Sequence, residues 1–264
     1  MDKYADIDIS GSDTDKPLNL QRRVALAEPF LQDRPCSLLD CGCGAGGYVA
    51  AFDALPGIQA FGIEYEAGKV ALALGRGLSP DRILRGDIQS MPYSDDSFDA
   101  VLLNEVLEHV PDHRLGLSEV CRVLRPGGTL LVFSPNRCYP FETHGVVSRR
   151  SGKRLPHDLP CVPWIPMKLG CRLFTYPARN FWPWELRRLL TGFGFTVLDL
   201  DYVWQTFENL SGAQPAWIKR CRGVLWATSR LLEKTPLLRM MGVSQFLALR
   251  KPGGREASTS NGEC

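Results

Sequence analysis

Ten residues near the N-terminus, Leu38-Leu-Asp-Cys-Gly-Cys-Gly-Ala-Gly-Gly47, hold the densest chemistry in the chain. Gly42, Gly44 and Gly47 satisfy the G-x-G-x-x-G spacing of dinucleotide-binding turns. Glycines there let the backbone turn tightly and approach a ligand at the C-terminal edge of a sheet. That spacing alone admits a nicotinamide or a flavin. Asp40 argues against both. At the mouth of a first strand its carboxylate would face a pyrophosphate at close range, where like charges repel. For S-adenosylmethionine, which carries a sulfonium and an α-ammonium and no phosphate, the same carboxylate is a favourable neighbour.

Two further acids fall where a nucleoside needs them. Glu64 closes a second strand 24 residues after Asp40, and its two oxygens can accept from both ribose hydroxyls. An NAD enzyme often has such an acid, so Glu64 does not separate the two cofactors. Asp87, in Arg85-Gly-Asp-Ile88, comes 23 residues later and can accept from an adenine amino group, with the Ile88 N–H serving a ring nitrogen. Each acid alone reads as a helix N-cap or a turn residue. Three acids ending three successive strands read as a cofactor site.

Two segments offer groups for an acceptor. His109, in Leu-Glu-His-Val-Pro-Asp112, lies just past a fourth strand, as a general base or as a helix-end residue bonded to backbone. Glu142 and His144, in Phe-Glu-Thr-His-Gly145, follow the fifth strand at a spacing of two. They read as an acid–base or acceptor-orienting pair, or as a loop packed by its own hydrogen bonds. His113 and His157 carry no comparable argument. The nine cysteines show no CxxC and no Cys/His ligand spacing, so no metal is expected.

Elements that would position these residues alternate along the first half. Strands are expected at Cys36–Asp40, Gln59–Glu64, Arg82–Arg85, Phe98–Asn104 and Thr129–Ser134. Helices are expected at Tyr48–Leu55, Glu66–Leu74 and His113–Leu124, the last stopped by Arg-Pro-Gly-Gly128. That rhythm gives an α/β fold, a parallel sheet covered on both faces with right-handed crossovers. Residues 135–180 carry seven of the 19 prolines and no clean period, and read as a long ordered loop or lid. Alternation returns with a helix at Trp182–Thr191 and a strand at Phe195–Tyr202. A basic amphipathic helix at 215–235 and a strand at Ser244–Arg250 follow.

The segments LLDCGCGAGG, GIEYE, GDIQSMPYSDDSFDAVLLNEVLEHVPD and EVCRVLRPGGTLLV resemble successive motifs of class I S-adenosylmethionine-dependent methyltransferases. The resemblance is closest to the subgroup with the ubiquinone- and menaquinone-biosynthesis C-methyltransferases and many small-molecule and lipid methyltransferases. It covers residues 36–134 closely and 181–202 loosely. It implies a Rossmann-like sheet of seven strands, the last, Ser244–Arg250, antiparallel. It also implies that Asp40, Gly42 and Gly44 hold the methionine part, Glu64 the ribose, Tyr65 the adenine face, and Asp87 and Ile88 the base. Asn104 and Glu105 would line the methionine side near the sulfonium. The motifs are nearly silent on the acceptor.

Bulk properties narrow the rest. At 264 residues the chain suits one domain over 17–251: a cofactor half (36–134), a lid (135–180), a helix–strand unit (181–203), the helix 215–235 and the last strand. Residues 1–16 and 252–264 read as disordered arms. No apolar run reaches about 18 residues, and the acidic N-terminus is no secretory signal, so a cytoplasmic protein with reduced thiols is expected.

The net charge of +2 hides an asymmetry: residues 1–132 carry 12 Lys/Arg against 20 Asp/Glu, residues 133–264 carry 19 against 9 and all six tryptophans. That half suits a small-molecule or lipid-like acceptor with an apolar body, and the helix 215–235 offers peripheral contact with an anionic membrane. No nucleic-acid-binding signature is present, so no nucleic-acid partner is expected. The readings left open are an NAD-dependent oxidoreductase, an RNA or protein methyltransferase, and a non-catalytic methyltransferase-like binding protein.

Overall fold

The computed structural model describes residues 17–31, 35–155, 159–205 and 216–253. The arm read at 1–16, most of the tail read at 252–264, and His157 lie outside the described residues. Seven strands form one sheet in the order β3-β2-β1-β4-β5-β9-β8. They are β1 (Cys36–Cys41), β2 (Ile58–Glu64), β3 (Ile83–Arg85), β4 (Phe98–Asn104), β5 (Leu124–Pro135), β8 (Thr196–Val203) and β9 (Ser244–Arg250). Strands β1 to β5 pair in parallel; β9 runs antiparallel to both β5 and β8.

Both faces of this sheet are buried, so its central strands are continuous apolar runs whose alternate residues serve two cores. Leu39, Cys41, Val101, Leu103, Leu130, Val132, Leu247 and Leu249 point to one face. There they meet Leu117, Val120 and Val123 of α4 (His113–Val123) and Leu186 and Leu190 of α6 (Pro183–Thr191). Leu38, Ala100, Leu102, Leu131, Phe133, Phe246 and Ala248 point to the other. They meet α1 (Pro17–Ala27) through Val24 and Ala27, and α2 (Gly47–Asp53) through Val49 and Phe52. They also meet α3 (Ala67–Gly75), through Ala73. Local chemistry sets the helix starts: Asp112 caps α4 by accepting from the Arg114 and Leu115 N–H groups, and Pro183 opens α6.

Three expectations need correction. Residues before Cys36 include a helix, α1, that no strand–helix rhythm announced. The Arg-Pro-Gly-Gly turn stops α4 but is itself part of β5, which starts at Leu124. Phe98 pairs with Leu124 and Ala100 with Thr129, so the extra residues are absorbed as an irregularity in the strand. Residues 135–180 are not all loop. They include a short ribbon, β6 (Val147–Ser148) with β7 (Phe174–Thr175), and a helix, α5 (Met167–Leu173).

This excursion is pinned at both ends. Asn136 bridges to Phe181, and the Arg137 N–H donates to the Phe181 carbonyl at 3.0 Å. The buried Asn136 side chain donates to the Met240 and Gly242 carbonyls at 2.7 and 2.8 Å. Arg137, also buried, donates to the Pro163 and Ile165 carbonyls and lies over the Trp182 ring.

Helix α7 (Ala216–Lys234) docks through a narrow face. Ser229 is buried and Leu225, Leu232 and Glu233 are half-buried, while Arg22 of α1 pairs with Glu233. The apolar stripe read on this helix is only partly the docked face: Val224 is 70% exposed and Leu231 68%. The side chains of Trp217 and Ile218 lie outside the described residues.

Candidate active site

Parallel strands deliver their C-terminal ends to one edge, and the sequence places Asp40, Glu64, Asp87 and Asn104 at or just beyond the ends of β1, β2, β3 and β4. Asp40 is buried, in register with Gly62 of β2 and Leu102 of β4. After it the chain turns through Gly42 and Gly44, both at positive φ (+69° and +55°). At Gly42 a Cβ would stand 2.6 Å from Val106 Cγ2, so the turn excludes larger residues on two grounds. At Gly44 a Cβ would meet nothing within 4 Å, and the turn opens a cradle there.

Glu64 ties this turn to the next strand. Its Oε2 accepts from the Gly44 N–H at 2.8 Å and its Oε1 from the Glu66 N–H at 2.9 Å. Tyr65 follows, half-buried, its carbonyl accepting from Arg85. Asp87 folds an Asx turn, Oδ1 accepting from the Gln89 N–H at 3.0 Å, and Ile88 is buried behind it. These residues fit S-adenosylmethionine: a glycine turn with open space above it, and carboxylates already oriented by backbone donors.

The end of β4 is organised by a residue that the sequence reading missed. Arg23, on α1 and 2% exposed, donates from Nη1 to Asn104 Oδ1 at 2.6 Å and from Nη2 to Glu105 Oε1 at 2.8 Å. Its guanidinium also lies 5.0 Å from the Phe133 ring centroid. Glu105 holds a left-handed φ of +54° and accepts from Ser244 Oγ at 2.7 Å as well. Burial favours the neutral form of Glu105, but Arg23 and the hydrogen bonds override it and hold its carboxyl below the usual range. A lone arginine in the N-terminal segment gave no periodic signal; only a strand-end acid lacking a cation nearby in sequence hinted that one must arrive from elsewhere.

The acceptor-side residues separate into two groups. His109 and His144 meet, ring centroids 5.1 Å apart and nearly perpendicular. Burial, then the neighbouring His144, lowers His109 to about 4, so its imidazole is neutral at pH 7. Glu142 does not form the expected pair with the His144 ring. Its Oε1 accepts from the His144 backbone N–H at 3.1 Å and from Asn180 Nδ2 at 3.3 Å, and so it shapes the loop. The carboxylate that does join the histidines is Glu108, buried, within 4.8 Å of ligand atoms on both. Burial and the charge of Glu105 push its carboxyl well above the usual range.

Comparison with known proteins bears on the cofactor half. The methyltransferase domain family matches residues 39–132. Over 101 residues the chain is 38% identical to sterol 24-C-methyltransferase ERG6B of Gibberella zeae, covering 36% of this chain and 27% of that one. A probable S-adenosylmethionine-dependent methyltransferase of Mycolicibacterium smegmatis is 39% identical over 100 residues, 38% of each chain. Demethylmenaquinone methyltransferase of Clavibacter sepedonicus is 34% identical over 97 residues, 36% of this chain and 39% of that one. The chain thus spans between 27% and 39% of the length of these relatives. Among solved structures, the 4+2 cyclase SpnF superposes over 89% of this chain and 82% of its own, with a TM-score of 0.55 and 26% identity.

Replacing Arg23 with Met keeps the stem and removes the charge. Glu105 would then be a buried carboxylate without its cation, a loss of about 3–5 kcal/mol that denaturant unfolding at pH 7 should show. Because folding lowers the Glu105 carboxyl, the pair stabilises above the ordinary glutamate pKa of about 4.3 and fades as pH falls through the lowered value. The difference between wild type and Arg23→Met should therefore shrink in acid, and equal stability at pH 7 would refute the clamp. Residues 39–132, carried by the seven-stranded sheet, are thus similar to the methyltransferase domain of S-adenosylmethionine-dependent enzymes.

Proposed function

We propose that this protein transfers a methyl group from S-adenosylmethionine to a small, largely apolar acceptor. The observation that carries the reading is the row of acids at one sheet edge, Asp40 buried and Glu64 and Asp87 held by backbone donors, beside a glycine turn with open space above it. When bound, S-adenosylmethionine supplies a methyl already activated by its sulfonium. The protein's task is then positioning and exclusion of water. Asp40, Gly42 and Gly44 would hold the methionine part, Glu64 the ribose, Tyr65, Asp87 and Ile88 the base. Glu105 and Asn104, fixed by Arg23, would border the methionine side. His109 and His144 would face the acceptor; Glu142 would act by fixing the loop that carries His144. Residues 135–180, pinned at Asn136 and Phe181, would cover it.

Calorimetry with S-adenosylhomocysteine and with NADH separates the two cofactor readings. Wild type should bind the homocysteine compound and not NADH. Glu64→Gln should weaken that binding by about 1.5–3 kcal/mol, since the charged acceptor is lost. Tight NADH binding without S-adenosylhomocysteine binding would end the proposal. Methyl transfer is then read by incubating labelled S-adenosylmethionine with fractionated extract. Label in no fraction would favour a non-catalytic role or other chemistry on this fold, the cyclase being a neighbour named for a different reaction.

Two observations support an apolar acceptor reached at a membrane surface. The relatives include a protein named for a sterol and one named for demethylmenaquinone. Helix α7 and the turn after it expose Val224, Trp226, Leu231, Leu237 and Met240, with Arg230 over the Trp226 ring. No helix among the described residues is long and apolar enough to cross a membrane. Flotation with anionic vesicles at low salt should carry wild type upward, and Val224→Ser with Leu231→Ser should reduce it. Wild type left in the pellet would contradict membrane contact.

A further inference from the structure

Past the end of β4 the chain makes a single 3-10 turn, Leu107–His109, that buries the Glu108 carboxylate and brings His109 beside it. His144 arrives from the loop after β5, 35 residues later, and its ring stands edge-on to that of His109. One ligand atom from each of the three side chains lies within 4.8 Å of the other two. A polar cluster of this kind is usually closed by internal hydrogen bonds. Here it is not. Glu108 is 4% exposed, and neither carboxylate oxygen meets a donor among the described residues. Nδ1 of His109 is likewise buried without a hydrogen-bond partner, while the Pro177 carbonyl accepts from the ring. That bond sets the tautomer in which the other nitrogen keeps its lone pair, the usual arrangement of a metal-binding imidazole.

Two imidazole nitrogens and one carboxylate oxygen form the donor set that first-row divalent cations take with positions left open. Ligand atoms about 2.0–2.2 Å from such an ion lie roughly 3–3.5 Å apart, so the present spacing needs only side-chain rotation to close. The surroundings favour a cation for a second reason. Glu105 lies close enough to act on Glu108 and both histidines, Arg23 gives its hydrogen bond to Glu105 and acts on Glu108 only from a distance, and a divalent ion would sit directly on the second carboxyl group.

We propose that Glu108, His109 and His144 bind a divalent first-row transition cation, whose open positions take an oxygen donor of the acceptor. The second clause rests on the methyltransferase reading above; the first does not. The site deepens that reading to a class of acceptor, one with a hydroxyl, phenol or carboxylate that coordinates the ion. The sequence pattern gave no sign of it, because the ligands are two adjacent residues and a third from a distant loop.

Cobalt(II) tests the site directly on the whole protein. Wild type should bind one equivalent with visible d–d bands that mark nitrogen and oxygen ligands, and zinc should displace it. Glu108→Gln and His144→Ala should each weaken cobalt more than about 100-fold. Glu108→Gln also keeps the shape of a buried side chain whose charged form the site disfavours, so without metal it should melt no lower than wild type. Zinc should raise the melting temperature of wild type and not of this variant. S-adenosylhomocysteine binding, measured in parallel, should persist in both variants. Cobalt that fails to saturate wild type by about 1 mM, or that binds both variants as tightly, would overturn the metal site whatever the cofactor result. Loss of S-adenosylhomocysteine binding in wild type with cobalt still bound would overturn the acceptor clause and leave the cation site standing.

Discussion

A guanidinium withdrawn from water onto a strand end is the constraint on which the rest of this edge depends. Burying an arginine and a glutamate together costs several kcal/mol for each ion, recovered only with good geometry and further hydrogen bonds. Arg23 supplies both. Its planar fork reaches Asn104 and Glu105 with separate nitrogens, and the ring of Phe133 lies beneath it. Ser244 donates to the same Glu105 oxygen, so α1, β4, β5 and β9 are joined at one point. Glu105 can keep its left-handed backbone because these contacts hold it there. The 3-10 turn that carries Glu108 and His109 starts two residues later, and its direction follows from that geometry.

The sheet was largely legible because its physics is local. Buried parallel strands must be apolar on both faces, and the runs at Leu38–Cys41, Ala100–Leu103 and Leu130–Phe133 could hardly be anything else. Acids at the strand ends were legible for the same reason, since the end of each run was marked. What escaped reading depends on contacts between distant segments. Arg23 acquires meaning only when α1 meets the end of β4, and Glu142 and His144 looked like partners only because a single residue separates them. Folded, the Glu142 carboxylate turns to backbone N–H groups and Asn180, while His144 turns to His109. The proline-rich stretch misled in another way. Its irregular sequence hides a short ribbon and a helix too brief to show a period.

Charge is arranged in layers along this edge. Asp40 and Glu64 lie at the glycine turn, Glu105 is neutralised by Arg23, and Glu108 stands behind it among the histidines. The first two suit a cation-bearing ligand whose own charges meet the carboxylates. The last is a carboxylate that the fold buries without a donor, a costly choice unless a proton or a metal ion completes it. A single edge thus offers a glycine turn with its acids and, after β4, a cluster of nitrogen and oxygen ligands.

Amide hydrogen exchange with and without S-adenosylhomocysteine tests the central claim most directly, that one sheet edge binds the cofactor. The N–H groups of Gly44, Glu66 and Gln89 already donate to the acids that would hold it, so a ligand seated there should slow their exchange further. The account predicts added protection in peptides covering 40–47, 64–68, 86–90 and 104–106, with little change in β8 or α7. Unchanged exchange in those four segments, or protection confined to other parts of the chain, would contradict it.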